Sequence, residues 1–343
     1  EIDFVRNFVK PGMNIIDIGA NYGVYTLTAA KLIGKSGKIW AFEPSSTTAR
    51  LLGKSIIANK MENATLIQAG LSDKPGHSSL ILNPNTEMCF LSDDPNETGR
   101  KEEVELYSLD ECMEKFGWHD IDLIKMDAEG HESKIIKGGK TLLATRSPLV
   151  MYEIKAGNRV NLNLLGDFEQ IDYESYVLVP GLNILAPFDS EGEIDDYLLN
   201  LFCCKEDRAI TLEKQNLLVR RPFENLAPVA IDINWLDYLR QFPYGRHFLF
   251  AWSSNNGTCD NDEQSIYQTA LDCYASSKNT NNSAGLRYAC LCRSFEIMNN
   301  LDLENMSVCR LVSFVRISRD LGYRTFAVKL LQKLIAIYNN RQP

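Results

Sequence analysis

Across the first 155 residues, short apolar runs alternate with stretches of helical periodicity, and this alternation allows few folds. "MNIIDI" (13–18), "KIWAFE" (38–43), "ATLIQA" (64–69), "DLIKMD" (122–127) and "LVMYEI" (149–154) read as buried strands. Helices are predicted between them over 22–34, 46–60 and 132–144. A strand–helix repeat of this kind gives a parallel sheet covered on both faces, a doubly wound α/β fold. After the third strand, "HSSLILN" and "EEVELYS" predict an inserted antiparallel β-hairpin, with a polar loop between them. "ESYVLV" and "YLLNLFCCK" then complete the main sheet.

The second half has a different grammar. "RRPFENLAP" (220–228) reads as a linker, and the pattern beyond it is helical. Ile266, Thr269, Ala270 and Cys273 are predicted to share one face, as are Val308, Leu311, Val312 and Val315, and Phe326, Leu330, Leu334 and Ile337. Gly322 is placed where one helix stops and an antiparallel neighbour begins. The expected organisation is an α/β domain over 1–222 and an all-α helical-hairpin domain over 226–343. Charge divides the same way: residues 1–224 carry 24 basic against 35 acidic side chains, and residues 225–343 carry 12 against 10.

The net charge of -9 argues against a nucleic-acid surface spread over the molecule. No apolar run approaches the roughly 20 residues needed to cross a bilayer. Nine cysteines without CxxC pairs predict free, mostly buried thiols and a cytoplasmic protein. The sequence starts at Glu1 rather than Met, and the expectation is that a preceding segment has been removed.

The chemistry concentrates in "NIIDIGANYGVYT" (14–26), a strand running into an aspartate and a glycine-punctuated turn. A dinucleotide fingerprint needs G-x-G-x-x-G, so that a pyrophosphate can meet bare backbone at a helix N-terminus. Here Asn21 replaces the middle glycine between Gly19 and Gly23, and Asp17 precedes the turn. A carboxylate there repels pyrophosphate and favours a ligand carrying an ammonium group, such as the methionine part of S-adenosylmethionine. Glu43, at the end of the second strand, is placed to accept ribose hydroxyls from either nucleotide.

Several ordered motifs resemble the FkbM family of S-adenosylmethionine-dependent methyltransferases: "VKPGMNIIDIGANYGVYTL", "AFEPS", "GLSDKPG", "YSLDEC", and above all "IDLIKMDAEGHESKIIKGG", followed by "LVMYEI". The resemblance covers about residues 1–215. It implies a class I methyltransferase fold, Rossmann-like, using S-adenosyl-L-methionine and usually methylating a hydroxyl of a sugar, lipid or secondary metabolite. Residues 225–343 inherit nothing from it.

The candidate donor-binding residues are Asp17, Gly19, Ala20, Asn21, Gly23 and Thr26, then Glu43 and Pro44, then Gln68, Ala69, Gly70 and Leu71. Asp127 ends the fourth strand, where ligands of open α/β sheets collect, and His131 has a pKa suited to a base. These two are the candidate catalytic residues. Lys125, a charge within an apolar strand, needs a carboxylate partner, and Glu153 is a candidate. Asp127, Glu129 and Glu132 offer oxygens for a hard cation, but helix-start carboxylates are common without one, and no metal is expected. The expected acceptor is a small molecule, sugar or glycan, with a protein partner as a further role for the helical domain. Two other readings stay open: a donor-binding fold that serves mainly as an interaction scaffold, and a nicotinamide dehydrogenase.

Overall fold

The computed structural model describes all residues except 84–88, 93, 95, 157–158, 221–230, 244, 246–260 and 340–343. The chain forms two compact units, Glu1–Val177 with Leu198–Thr211, and Leu178–Tyr197 with Leu212–Pro343. The expected linker lies outside the described residues, apart from Arg220.

The strands in chain order begin with β1 (Asn14–Ile18), β2 (Lys38–Phe42), β3 (Ala64–Ile67) and β4 (Gly70–Leu71). Next come β5 (Gly76–Leu82), β6 (Phe90–Ser92), β7 (Arg100–Tyr107), β8 (Leu123–Met126) and β9 (Leu149–Glu153). The rest are β10 (Lys155–Ala156), β11 (Arg159–Val160), β12 (Glu174–Val179), β13 (Ile184–Pro187) and β14 (Asn200–Cys204). The central sheet has the order β13–β12–β14–β9–β8–β1–β2–β3. β3, β2, β1, β8 and β9 are parallel, while β14 runs antiparallel to both β9 and β12. This is a doubly wound, Rossmann-like arrangement with one antiparallel strand inserted. Ile15, Ile16, Ile39, Ile124 and Val150 are all buried, because helices cover both faces.

The inserted segment forms more than a hairpin. β5 pairs antiparallel with β7 as expected, but β6 and β4 join them in a four-stranded sheet with the order β4–β7–β5–β6. The single helix expected over 132–144 is two helices, Glu132–Lys137 and Lys140–Arg146. Gly138 and Gly139 cap the two helices at the break, and both positions need glycine: a side chain at Gly138 would strike the Ser72 carbonyl, and one at Gly139 would come within 2.7 Å of Leu109 Cδ1.

In the second unit, helices Asn261–Ser277 and Ala284–Asn299, then Val308–Leu321 and Arg324–Asn339, make two hairpins. Gly322 ends the third of these helices in a left-handed conformation, as expected. Their buried faces are rotated from those read in the sequence. Ile266 and Val312 are exposed, while Tyr267, Ala270 and Leu271, and then Leu311, Phe314 and Ile317, form the core. Aromatic residues account for the difference, since large rings bury more area than Val or Thr on the neighbouring face. The face of the last helix is as read, with Leu330 buried and Phe326, Leu334 and Ile337 packed beside it. No helix among the described residues is long and apolar enough to cross a membrane.

Candidate active site

Parallel strands deliver their carboxyl ends to one edge of a sheet, and there the loops after β1, β2, β3 and β8 surround a cleft. Ligand sites of this architecture occupy that edge. Gly19, Asn21, Glu43, Pro44, Ala69, Gly70, Leu71 and Asp127 from the sequence-derived set all line it.

The turn after β1 is closely fitted. Gly19 has φ 69°, and a Cβ there would overlap the Asp127 carbonyl oxygen, so only glycine fits. Asn21 also lies in the left-handed region, at φ 49°, which asparagine tolerates better than most residues. Its N–H donates to Glu43 Oε2 at 2.8 Å, and the Ser45 N–H donates to Oε1 at 2.9 Å. Glu43 is therefore fixed at the cleft wall with lone pairs remaining on both oxygens. Burial raises its pKa, opposed by these two hydrogen bonds.

Other expected donor residues support the turn without lining the cleft. Asp17 is buried beneath it, its Oδ2 accepting from Thr26 Oγ1 at 2.5 Å. Ala20 packs in an apolar cluster with Leu52, and Gly23 is the N-cap of the helix Val24–Ile33. Gln68 is exposed and away from the cleft. It leaves the wall because the backbone contacts fall to Ala69 and Gly70, which are buried.

Lys125 lies beside Asp17 in the sheet register and is 6% exposed. Its ammonium donates to the carbonyls of Gly19 at 2.8 Å and Ile18 at 3.3 Å, and pairs with Asp127 Oδ2 at 3.0 Å and Asp17 Oδ1 at 3.8 Å. Its closest carboxylate is thus Asp127, not the expected Glu153. Register explains this: Lys125 stands opposite Asp17 in β1 and Met151 in β9. Burial works against the ammonium, but the charges of Asp17 and Asp127 outweigh it and raise its pKa. One cation shared by two carboxylates cannot neutralise both, and burial raises the pKa of Asp17.

Glu153, at the end of β9, is pushed up to about 9 by burial, by the charge of Asp127 and by a hydrogen bond to Asp127. The side chain of Asp127 is 38% exposed at the cleft, held by an ammonium on one side and an acid on the other. Among the described residues, Asp127, Glu129 and Glu153 bring oxygens within 4.8 Å of one another, a spacing a cation can bridge. Glu132 is not part of this group. It turns back to accept from the N–H groups of Ala128 and Gly130, closing the turn before its own helix.

His131 is not at the cleft. It is buried at the N-cap of that helix, with Nε2 3.1 Å from Ser72 Oγ. The turn through Gly130 before it folds the ring inward, beside Ser72. Sequence reasoning missed Leu80, Cys89 and Leu91, which the inserted sheet contributes to the wall. Alternation in "HSSLILN" marks Leu80 as facing inward, but nothing local shows which cavity it faces.

Residues 17–200, more than half of the chain, match the Methyltransferase FkbM domain. Among curated proteins, methyltransferase sdnD of Sordaria araneosa is 26% identical over 36% of this chain and 59% of its own length. The 2-O-methyltransferase NoeI of Sinorhizobium fredii is 28% identical over 47% of this chain and 74% of its own. The chain thus spans less than two thirds of the first of these relatives. Among solved structures, methyltransferase FkbM from Methylobacillus flagellatus aligns with a TM-score of 0.38 and 14% identity, over 59% of this chain and 50% of the other.

Proposed function

The chain belongs to the FkbM methyltransferase family, and from that premise we propose that it transfers a methyl group from S-adenosylmethionine to a hydroxyl oxygen of a small molecule, sugar or glycan. The observation that carries this reading is the setting of Glu43. Each of its oxygens accepts from one backbone N–H, and the side chain lines the cleft, an arrangement that suits a pair of ribose hydroxyls. The Asn21 N–H that a dinucleotide fold would direct at pyrophosphate is engaged by Glu43 instead, which disfavours the dehydrogenase reading. Leu71, Leu80 and Leu91 offer an apolar wall for an adenine ring.

When bound, S-adenosylmethionine supplies an electrophilic methyl group on a sulfonium, so the protein has to align an oxygen and remove its proton. Asp127 is suited to that second task, being at the cleft and fixed by Lys125. The similarity to NoeI, a 2-O-methyltransferase, supports oxygen as the acceptor atom.

Titration calorimetry with S-adenosylmethionine and with NAD tests the donor. S-adenosylmethionine should bind, and Glu43→Ala should weaken it by about 1.5–3 kcal/mol for each charged hydrogen bond lost. Binding of NAD alone, or unchanged affinity in the variant, would overturn the assignment. A mass-spectrometric screen for a metabolite or glycan that gains one methyl group then tests the acceptor class.

A further inference from the structure

The helical unit contains a cavity outside the family match. Its volume is about 320 Å³, at the lower end of the roughly 300–1,000 Å³ range for small-ligand sites. One wall is the short helix Trp235–Arg240, fixed at its start to the helix Asn261–Ser277. The Trp235 N–H donates to Asp272 Oδ1 at 2.7 Å, and the N–H groups of Asp232 and Ile233 donate to Ser276 Oγ at 3.2 Å. Trp235 and Tyr238 line the cavity from this helix, and Phe242 from just beyond its end. Tyr238 meets Phe242 edge-on at 5.2 Å and Tyr274 at 6.5 Å, the spacing at which aromatic rings attract.

The opposite wall, from the helix Val308–Leu321, adds Ile317 at the base and Arg316 and Arg319. Their charges are not balanced locally. Arg319 pairs with Asp320, but that carboxylate also takes the Lys278 ammonium at 2.6 Å and the Tyr274 hydroxyl at 2.8 Å. Arg316 is exposed and pairs with no carboxylate among the described residues. Aromatic rings lining the same cavity as two guanidinium groups are complementary to a flat apolar body bearing a negative charge. Guanidinium geometry matches a carboxylate through two parallel N–H donors.

We infer that this cavity binds an aromatic carboxylate, its ring against Tyr238, Phe242 and Tyr274 and its charge on Arg316. The cavity and the donor cleft share no lining residue.

The test uses the full chain and 2-naphthoate as the probe, with 2-naphthol as its uncharged counterpart, followed by titration calorimetry. Naphthoate should bind saturably and more tightly than naphthol. Arg316→Gln, a change at an exposed position, should weaken naphthoate tenfold or more and leave naphthol within twofold. Tyr238→Ala should weaken both, and neither variant should alter S-adenosylmethionine binding. The inference fails if naphthoate does not saturate at millimolar concentration, if Arg316→Gln affects both probes alike, or if excess S-adenosylmethionine displaces naphthoate.

Discussion

Replacing Lys125 by methionine keeps the length of the side chain and removes the charge on which the site converges. The ammonium serves the carbonyls of Ile18 and Gly19 and the carboxylates of Asp17 and Asp127. Asp17, 1% exposed, keeps only Thr26, and its Oδ1 already has no hydrogen-bond partner. Removing one member of a buried ion pair costs about 3–5 kcal/mol, and we expect a loss in that range at about pH 8. The loss should depend on pH with a defined sign. Burial already raises the pKa of Asp17, and without the ammonium it rises further. A carboxyl whose folded pKa lies above its unfolded value, about 3.9, contributes full stability below that value and loses it as pH rises through the folded one. The deficit of Lys125→Met should therefore be smaller at about pH 5 than at about pH 8. The double variant with Asp17→Asn should recover the pH-dependent part. Urea unfolding reads this directly, since slopes of about 1–3 kcal/mol/M turn such a loss into a midpoint shift of molar order. A midpoint unchanged at both pH values, or a deficit indifferent to pH, would refute the reasoning.

Four further outcomes follow from the same site. Asp127→Asn should lower turnover of the identified acceptor by about 10²–10⁴-fold, the usual worth of a positioned base, while donor affinity changes little. A chelator should leave the wild-type rate unaltered, and its abolition would instead assign Asp127, Glu129 and Glu153 to a cation. Glu153, pushed up to about 9, should make the protein lose stability as pH rises from its unfolded value of about 4.3. Thermal unfolding across that window should flatten in Glu153→Gln, and an unaltered slope would contradict the placement of this acid. Gly19→Ala, at φ 69° and against the Asp127 carbonyl, should cost about 1–3 kcal/mol in overpacking and abolish donor binding in calorimetry. Retained affinity would show that the turn can relax.

The central sheet is legible in the sequence because each of its strands is a short apolar run, and buried parallel strands need nothing subtler. Asn21 and Glu43 are legible because turn chemistry and strand ends are local properties. Glu132 and His131 are not, since both belong to a helix start whose side chains can face outward or fold back. Only the buried Ser72 and the free N–H groups of Ala128 and Gly130 decide that they fold back. The partner of Lys125 depends on sheet register, which no single strand reveals. In the helical unit, four-residue spacing fits two adjacent faces equally well, and the volume of Tyr267 and Phe314 selects between them.

The place of β14 bears on how the chain is made. Residues 200–204 lie between β9 and β12, so during synthesis β9 leaves the ribosome before the strand that pairs with its outer edge. Until some fifty more residues emerge, β9 presents an unpaired backbone edge beside Val150 and Met151, both apolar and buried in the finished fold. Such an edge invites pairing with another chain. Slow synthesis through residues 154–199 would prolong that exposure, and a ribosome stalled there would release a nascent fragment poised to aggregate or to borrow β14 from a neighbour.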